Sequence, residues 1–146
     1  MTINSGFHIT TIRVRYAETD KMGIAYNSHY LTWFEVGRTE FLRDLGFTYN
    51  EAEQSGVRLP VIETGVKFLK PAHYDDILTI KTCFGEKPGL RIKMVYEVWK
   101  DTTILATGFT EHVFTDENLK PRKPPKGLLN KILEIWEKNF SSTKTE

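Results

Sequence analysis

Hydrophobic and polar positions first change period early in the chain. From His8 to Tyr16 they alternate in part, with Ile12, Val14 and Tyr16 set against Thr11, Arg13 and Arg15. Side chains of an extended chain point to opposite faces in turn, so this β-branched stretch predicts a strand. Its end, Tyr16-Ala17-Glu18-Thr19-Asp20, would deliver a carboxylate. From Ser28 the period becomes helical. Tyr30, Leu31, Phe34, Gly37, Phe41, Leu42 and Leu45 recur three or four apart, while Thr32, Glu35, Arg38, Glu40 and Arg43 fall mostly elsewhere. The spacing predicts a helix capped by Asn27 or Ser28, running to about Asp44 and stopping at Gly46, because glycine accepts positive φ. Gly37 within it costs about 1 kcal/mol relative to alanine, which implies close approach of a neighbouring backbone, from the sheet or another subunit.

Thr48 to Ser55 reads as a short helix or turn. Four strand signals follow: Leu59–Leu69, Ile77–Phe84, Leu90–Trp99 and Thr103–Phe114. In the third, Leu90, Ile92, Met94, Tyr96 and Val98 share one face. Lys87-Pro88-Gly89 and Lys100-Asp101 supply hairpin turns. Leu128, Leu129, Ile132, Leu133, Trp136 and Phe140 then form the apolar stripe of a last helix. Consecutive strands with short links favour an antiparallel sheet, covered on one face by the long helix. The resulting class is α+β. The uncovered face and edges call for another subunit.

The 146 residues suit a single domain over 1–146, with a core at about 8–138 and a small polar tail at 141–146 that frays. A net charge of +1 gives no case for a nucleic-acid partner. No apolar run is long enough for membrane insertion, and no basic-then-apolar leader opens the chain, so the expectation is a cytoplasmic protein. One cysteine, Cys83, excludes an intrachain disulfide. The histidines at 8, 29, 73 and 112 share no ligand spacing, so no metal site is expected.

The candidate chemistry lies between the first strand and the long helix. Asp20 sits there, with Gly23 giving the loop freedom to turn. A helix start offers backbone N–H groups without intrahelical partners, and a partial positive charge. Such donors hold a developing oxyanion, and a nearby carboxylate can attack a carbonyl or activate a water. Asp20 as a simple turn cap is the competing reading. Glu18, two residues earlier, is a second carboxylate that could make an acid–base pair with it, but reads first as a solvated charge. Lys120, Arg122, Lys123 and Lys126 put four cations in seven residues, a solvated face or a contact for a phosphate-bearing ligand.

The stretch RVRYAETDKMGIAYNSHYLTWFEVGRTEFLR resembles the opening of the 4-hydroxybenzoyl-CoA thioesterase family of hotdog-fold proteins. Its nearest likeness there is the acyl-CoA thioesterase branch associated with the Tol–Pal system. Asp20 and Gly23 match the D-x-x-G element, followed by Tyr26 and Tyr30, then Glu35 and Arg38. KFLKPAHYDDILTI and ATGFTEHVFTDENLKPRKPP resemble later family segments, so the likeness spans about residues 8–135. It implies a hotdog fold, an antiparallel sheet wrapped around a central helix, assembled as a homodimer or homotetramer. It also implies hydrolysis of a short-chain or aromatic acyl-CoA, coenzyme A being part of the substrate and no cofactor being needed. Asp20 would be the catalytic carboxylate, and the helix N-terminal N–H near Asn27 the oxyanion donor. Gly23, Tyr26, Lys120, Arg122 and Lys123 would contact substrate. The branch usually carries a histidine where this chain has Asn27, so an imidazole role is lost there. A hotdog hydratase or dehydratase, and a non-catalytic acyl-CoA-binding module, are the alternatives.

Overall fold

A computed structural model describes residues 3–4 and 6–138. In chain order the elements are β1 (Ile3–Asn4), β2 (Phe7–Arg13), a 3-10 turn (Tyr16–Glu18), α1 (His29–Asp44), α2 (Tyr49–Ser55), β3 (Val61–Phe68), β4 (Ile77–Phe84), β5 (Arg91–Lys100), β6 (Thr103–Val113) and α3 (Lys126–Trp136). The strands form one antiparallel sheet in the order β1-β2-β4-β5-β6-β3. It wraps around α1, the arrangement that the resemblance implied.

The buried side chains of β5 are Ile92, Met94, Tyr96 and Val98, the face expected from their alternation. Leu90, assigned to the same face, precedes the strand and is exposed. Against this face α1 buries Tyr30, Trp33, Phe34, Phe41 and Leu42, and the Phe34 and Tyr96 rings stack at 4.4 Å. A Cβ on Gly37 would stand 2.6 Å from Thr82 Oγ1 and 2.9 Å from Ile80 Cγ2. The sheet is therefore the close neighbour, through the side chains of Thr82 and Ile80 rather than through its backbone. Leu31, counted in the apolar stripe, is exposed, and Trp33 takes the buried place. Phe140 and the tail at 141–146 lie outside the described residues.

One polar chain runs through the core. His112 is fully buried, with Nδ1 3.1 Å from the Leu59 carbonyl and Nε2 2.8 Å from Thr110 Oγ1, which in turn lies 2.6 Å from Tyr96 Oη. The carbonyl can only accept, so Nδ1 carries the proton and Nε2 accepts from Thr110. Burial pushes the His112 pKa down to about 4, against the Leu59 bond and helped by Arg38 of α1.

Candidate functional site

β2 ends at Arg13, earlier than its alternation suggested, and Tyr16–Glu18 turns as 3-10 helix rather than extending the strand. A tight loop follows. The Asp20 N–H donates to the Ile24 carbonyl at 2.9 Å, and the Gly23 N–H to the Asp20 carbonyl at 3.0 Å. Asp20 Oδ1 accepts from the N–H groups of Met22 at 2.8 Å and Ile24 at 3.2 Å. Gly23 holds φ +75°, which an L side chain rarely adopts, and its carbonyl accepts from the Tyr74 N–H. Asp20 is thus a turn former, but with one oxygen only. Its Oδ2 has no partner among the described residues, and the side chain is exposed.

The start of α1 lies next to this loop. The Tyr26 N–H donates to the Glu18 carbonyl at 2.8 Å, and the Tyr26 carbonyl accepts from His29 N–H at 3.1 Å. Ser28 stands at the N-cap position, but with helical φ −64° and ψ −23° and no side-chain cap bond. The N–H groups of Asn27 and Ser28 have no acceptor among the described residues. A helix start of this kind presents partial positive charge to whatever occupies the space before it.

That space is a cleft of about 220 Å³ lined by residues that include Ile24, Asn27, Tyr30, Phe68 and Lys70. Asp20 does not line it but is tied to it through Ile24, whose N–H and C=O both bond to Asp20. Tyr26 and Gly23 also lie outside the lining; Tyr26 is exposed. Tyr30 and Phe68 meet edge to face at 5.0 Å and give the cleft an aromatic wall. Burial pushes the Tyr30 hydroxyl pKa up, although the Ala72 backbone bond opposes this. Tyr30 therefore serves as a neutral wall. Phe68 and Lys70 were not singled out in the sequence; the signal available was their place just before Pro71, at the exposed end of β3.

Glu18 differs from its reading as a solvated charge. It is buried, and both carboxylate oxygens are used: Oε1 accepts from the Arg15 N–H at 2.9 Å and Oε2 from Trp33 Nε1 at 3.0 Å. Burial pushes its pKa up, but these bonds and the Arg15 charge outweigh that and hold it below the ordinary carboxylate value.

The basic segment is divided. Arg122 and Lys123 line a second cleft of about 390 Å³ together with Leu90, Arg91 and Phe114. Lys120 is instead drawn into a turn, its N–H bonded to Asp116 Oδ1 at 3.0 Å, and is absent from that lining. The two clefts sit at opposite ends of β3: Val61 pairs with His112 near Arg122, and Phe68 pairs with Ala106 near Asn27. Seven strand steps separate them by roughly 23 Å. Within one chain the structure does not bring the basic residues to Asp20. Among the described residues, no group of three or more His, Cys, Asp or Glu could hold a metal ion. No helix among them is long and apolar enough to cross a membrane.

Comparison with known proteins gives the family of the chain. A family model described as the thioesterase-like superfamily matches residues 14–132. The candidate acyl-CoA thioesterase YneP of Bacillus subtilis is 39% identical over 112 residues, covering 75% of this chain and 81% of that protein. The acyl-CoA thioesterase YbgC of Haemophilus influenzae is 30% identical over 126 residues, covering 85% and 92%. The solved structure of a DHNA-CoA thioesterase from Staphylococcus aureus is 33% identical with a TM-score of 0.77, covering 95% of this chain and 91% of that one.

Proposed function

We propose, for a chain that belongs to the thioesterase-like superfamily and has its hotdog fold, that the reaction is hydrolysis of an acyl-CoA to a free acid and coenzyme A. The observation that carries this is Asp20: one oxygen builds the loop, the other is free, and the loop adjoins a helix start with two unpaired N–H groups. A thioester carbonyl is already electrophilic and its thiolate leaves readily, so a serine–histidine pair is unnecessary. In one route Asp20 Oδ2 attacks the carbonyl carbon, the C–S bond breaks, and the thiolate takes a proton from solvent. Water then hydrolyses the mixed anhydride and restores Asp20. In the other, Asp20 removes a proton from the attacking water. In both, the Asn27 N–H, with Ser28 beside it, stabilises the oxyanion. A single turnover in ¹⁸O-water tests for direct attack: water adding to the Asp20 carboxyl carbon of the anhydride puts ¹⁸O into Asp20 and leaves the first acid unlabelled, whereas the general-base route labels the acid.

The cleft of about 220 Å³ with its Tyr30–Phe68 wall favours a short-chain or aromatic acyl group. An assembly accounts for the distant cations. β3 is an edge strand of the sheet, with exposed Val61, Ile62 and Phe68 and, just beyond it, Leu69. Antiparallel pairing of two β3 edges would set the Phe68 end of one chain against the Val61 end of its partner. Arg122 and Lys123 would then approach the partner's cleft as contacts for the anionic groups of coenzyme A. The minimal assembly is a homodimer, and two dimers make the expected homotetramer. Cys83 is buried, and burial and Glu97 push its thiol pKa up to about 12, which suits a packed thiol rather than a nucleophile.

A panel of short, long and aromatic acyl-CoAs, read by thiol release, tests the reading. Turnover of the short or aromatic members is the expected result. Hydration of crotonyl-CoA without thiol release would mean a hydratase, and tight binding without turnover a binding module.

A further inference from the structure

Two parts of the proposed site come from different segments, the Asp20 loop and the start of α1. Their relative position has to be fixed to well under an ångström, because a displacement of about 1 Å costs a positioned reaction about 100-fold. Asp20 cannot fix it. Its own bonds all stay within residues 20–24.

Glu18 spans the gap. Its Oε2 accepts from Trp33 Nε1, in the second turn of α1, at 3.0 Å. Its Oε1 accepts from the Arg15 N–H at 2.9 Å, which closes the 3-10 turn that leads into Asp20. Its main-chain carbonyl accepts from the Tyr26 N–H at 2.8 Å, one residue before the free Asn27 N–H. One buried residue therefore grips the approach to the carboxylate, the body of the helix and the last peptide before the oxyanion donors. We propose that Glu18 is the positioning residue that holds the Asp20 carboxylate and the Asn27–Ser28 N–H groups in register. The inference rests on the thioesterase reading for its catalytic consequence, but not for the mechanical link itself.

The chemistry selects a carboxylate at this position. Both partners of the side chain are N–H donors, so both oxygens must accept. An amide of the same shape places its NH2 against either Arg15 N–H or Trp33 Nε1–H, and one of the two bonds is lost. The Arg15 guanidinium, 3.6 Å from Oε2, adds charge on the solvent side.

Glu18→Gln tests the link with little change of volume, and Trp33→Phe removes the indole N–H at its other end at the cost of a smaller ring in the core. Each is expected to lower kcat about 10-fold to 100-fold, with KM within about twofold, because positioning acts on the chemical step. The double variant is expected to lose no more than the worse single one, since both remove the same bond. Amide exchange supplies a readout independent of catalysis: the Tyr26 N–H, which bonds the Glu18 carbonyl across the gap, exchanges at least 10-fold faster in Glu18→Gln, while the N–H groups of β5 do not change. Wild-type kcat in either folded variant, independent losses that multiply in the double variant, or unchanged exchange at Tyr26 would each overturn the proposal. If Glu18→Gln does not fold, Trp33→Phe carries both readouts alone. Faster Tyr26 exchange in a protein that hydrolyses no thioester would sustain the link while refuting the thioesterase reading.

Discussion

The two ends of α1 are finished in opposite ways. At the C-terminal end every device for closing a helix is present. Gly46 takes φ +86°, the Phe47 N–H reaches back to the Leu42 carbonyl at 2.9 Å and the Gly46 N–H to Arg43 at 2.8 Å. Lys131 of α3 donates to the Leu45 carbonyl at 3.0 Å, and Asp44 bonds His8 of β2 at 2.7 Å. At the N-terminal end Ser28 makes no cap bond, and the N–H groups of Asn27 and Ser28 are free. An N-cap serine ordinarily contributes about 1 kcal/mol, so leaving it unused is a cost in stability. The contrast sets an end built for holding against one left open, which faces a cleft and adjoins the loop that carries Asp20, as the proposed mechanism requires.

Substitutions at the open end should therefore act on turnover, and those at the closed end or in the body on stability. The largest effect is expected from Asn27→Pro. Asn27 stands just before the N-cap, and proline there deletes an N–H that is free, together with the Asn27 side chain that lines the cleft. Loss of an oxyanion donor predicts a fall in kcat of about 100-fold to 1,000-fold, with the unfolding midpoint nearly unchanged. A large drop in the midpoint together with full kcat per folded molecule would reverse the assignment of that end.

Beneath the middle of the helix, His112 sets a pH dependence. Its folded pKa of about 4 lies below the ordinary value of 6.5, so between these pH values the unfolded chain binds a proton that the folded chain does not. Stability rises with pH through this window and is lost on acidification, by roughly 3 kcal/mol in total. Urea unfolding at pH 7 and pH 4.5 should show most of that difference in the wild type and much less of it in His112→Gln. Next in size is Gly37→Ala. The new methyl meets Thr82 and Ile80, and overpacking of this kind costs about 1–3 kcal/mol. The smallest effect is expected at the closed end: Lys131→Met frees the Leu45 carbonyl for about 1 kcal/mol, seen as a lower thermal midpoint, with kcat unaltered.

What the sequence disclosed followed from local periodicity. The 3.6-residue recurrence placed α1 to within a residue at its C-terminal end, and the alternation of Ile92 to Val98 gave the buried face of β5. β1 was missed because two residues carry no period. Glu18 was misread because its burial depends on Trp33, fifteen residues away, and on a 3-10 turn where alternation suggested strand. The run from Lys120 to Lys126 looked like one cluster, yet the Asp116 turn takes Lys120 out of it. For Asp20, Gly23 marked the turn and the family likeness supplied the chemistry. Composition could not reveal that one carboxylate oxygen would be occupied and the other left free.

The most direct test of the account is kcat for acyl-CoA hydrolysis by Asp20→Asn. Asparagine keeps an oxygen that can accept from Met22 and Ile24, so the loop should survive while the free anionic oxygen is lost. The account predicts a fall in kcat of about 100-fold or more with an unchanged unfolding midpoint. Hydrolysis at the wild-type rate by the folded variant would contradict it.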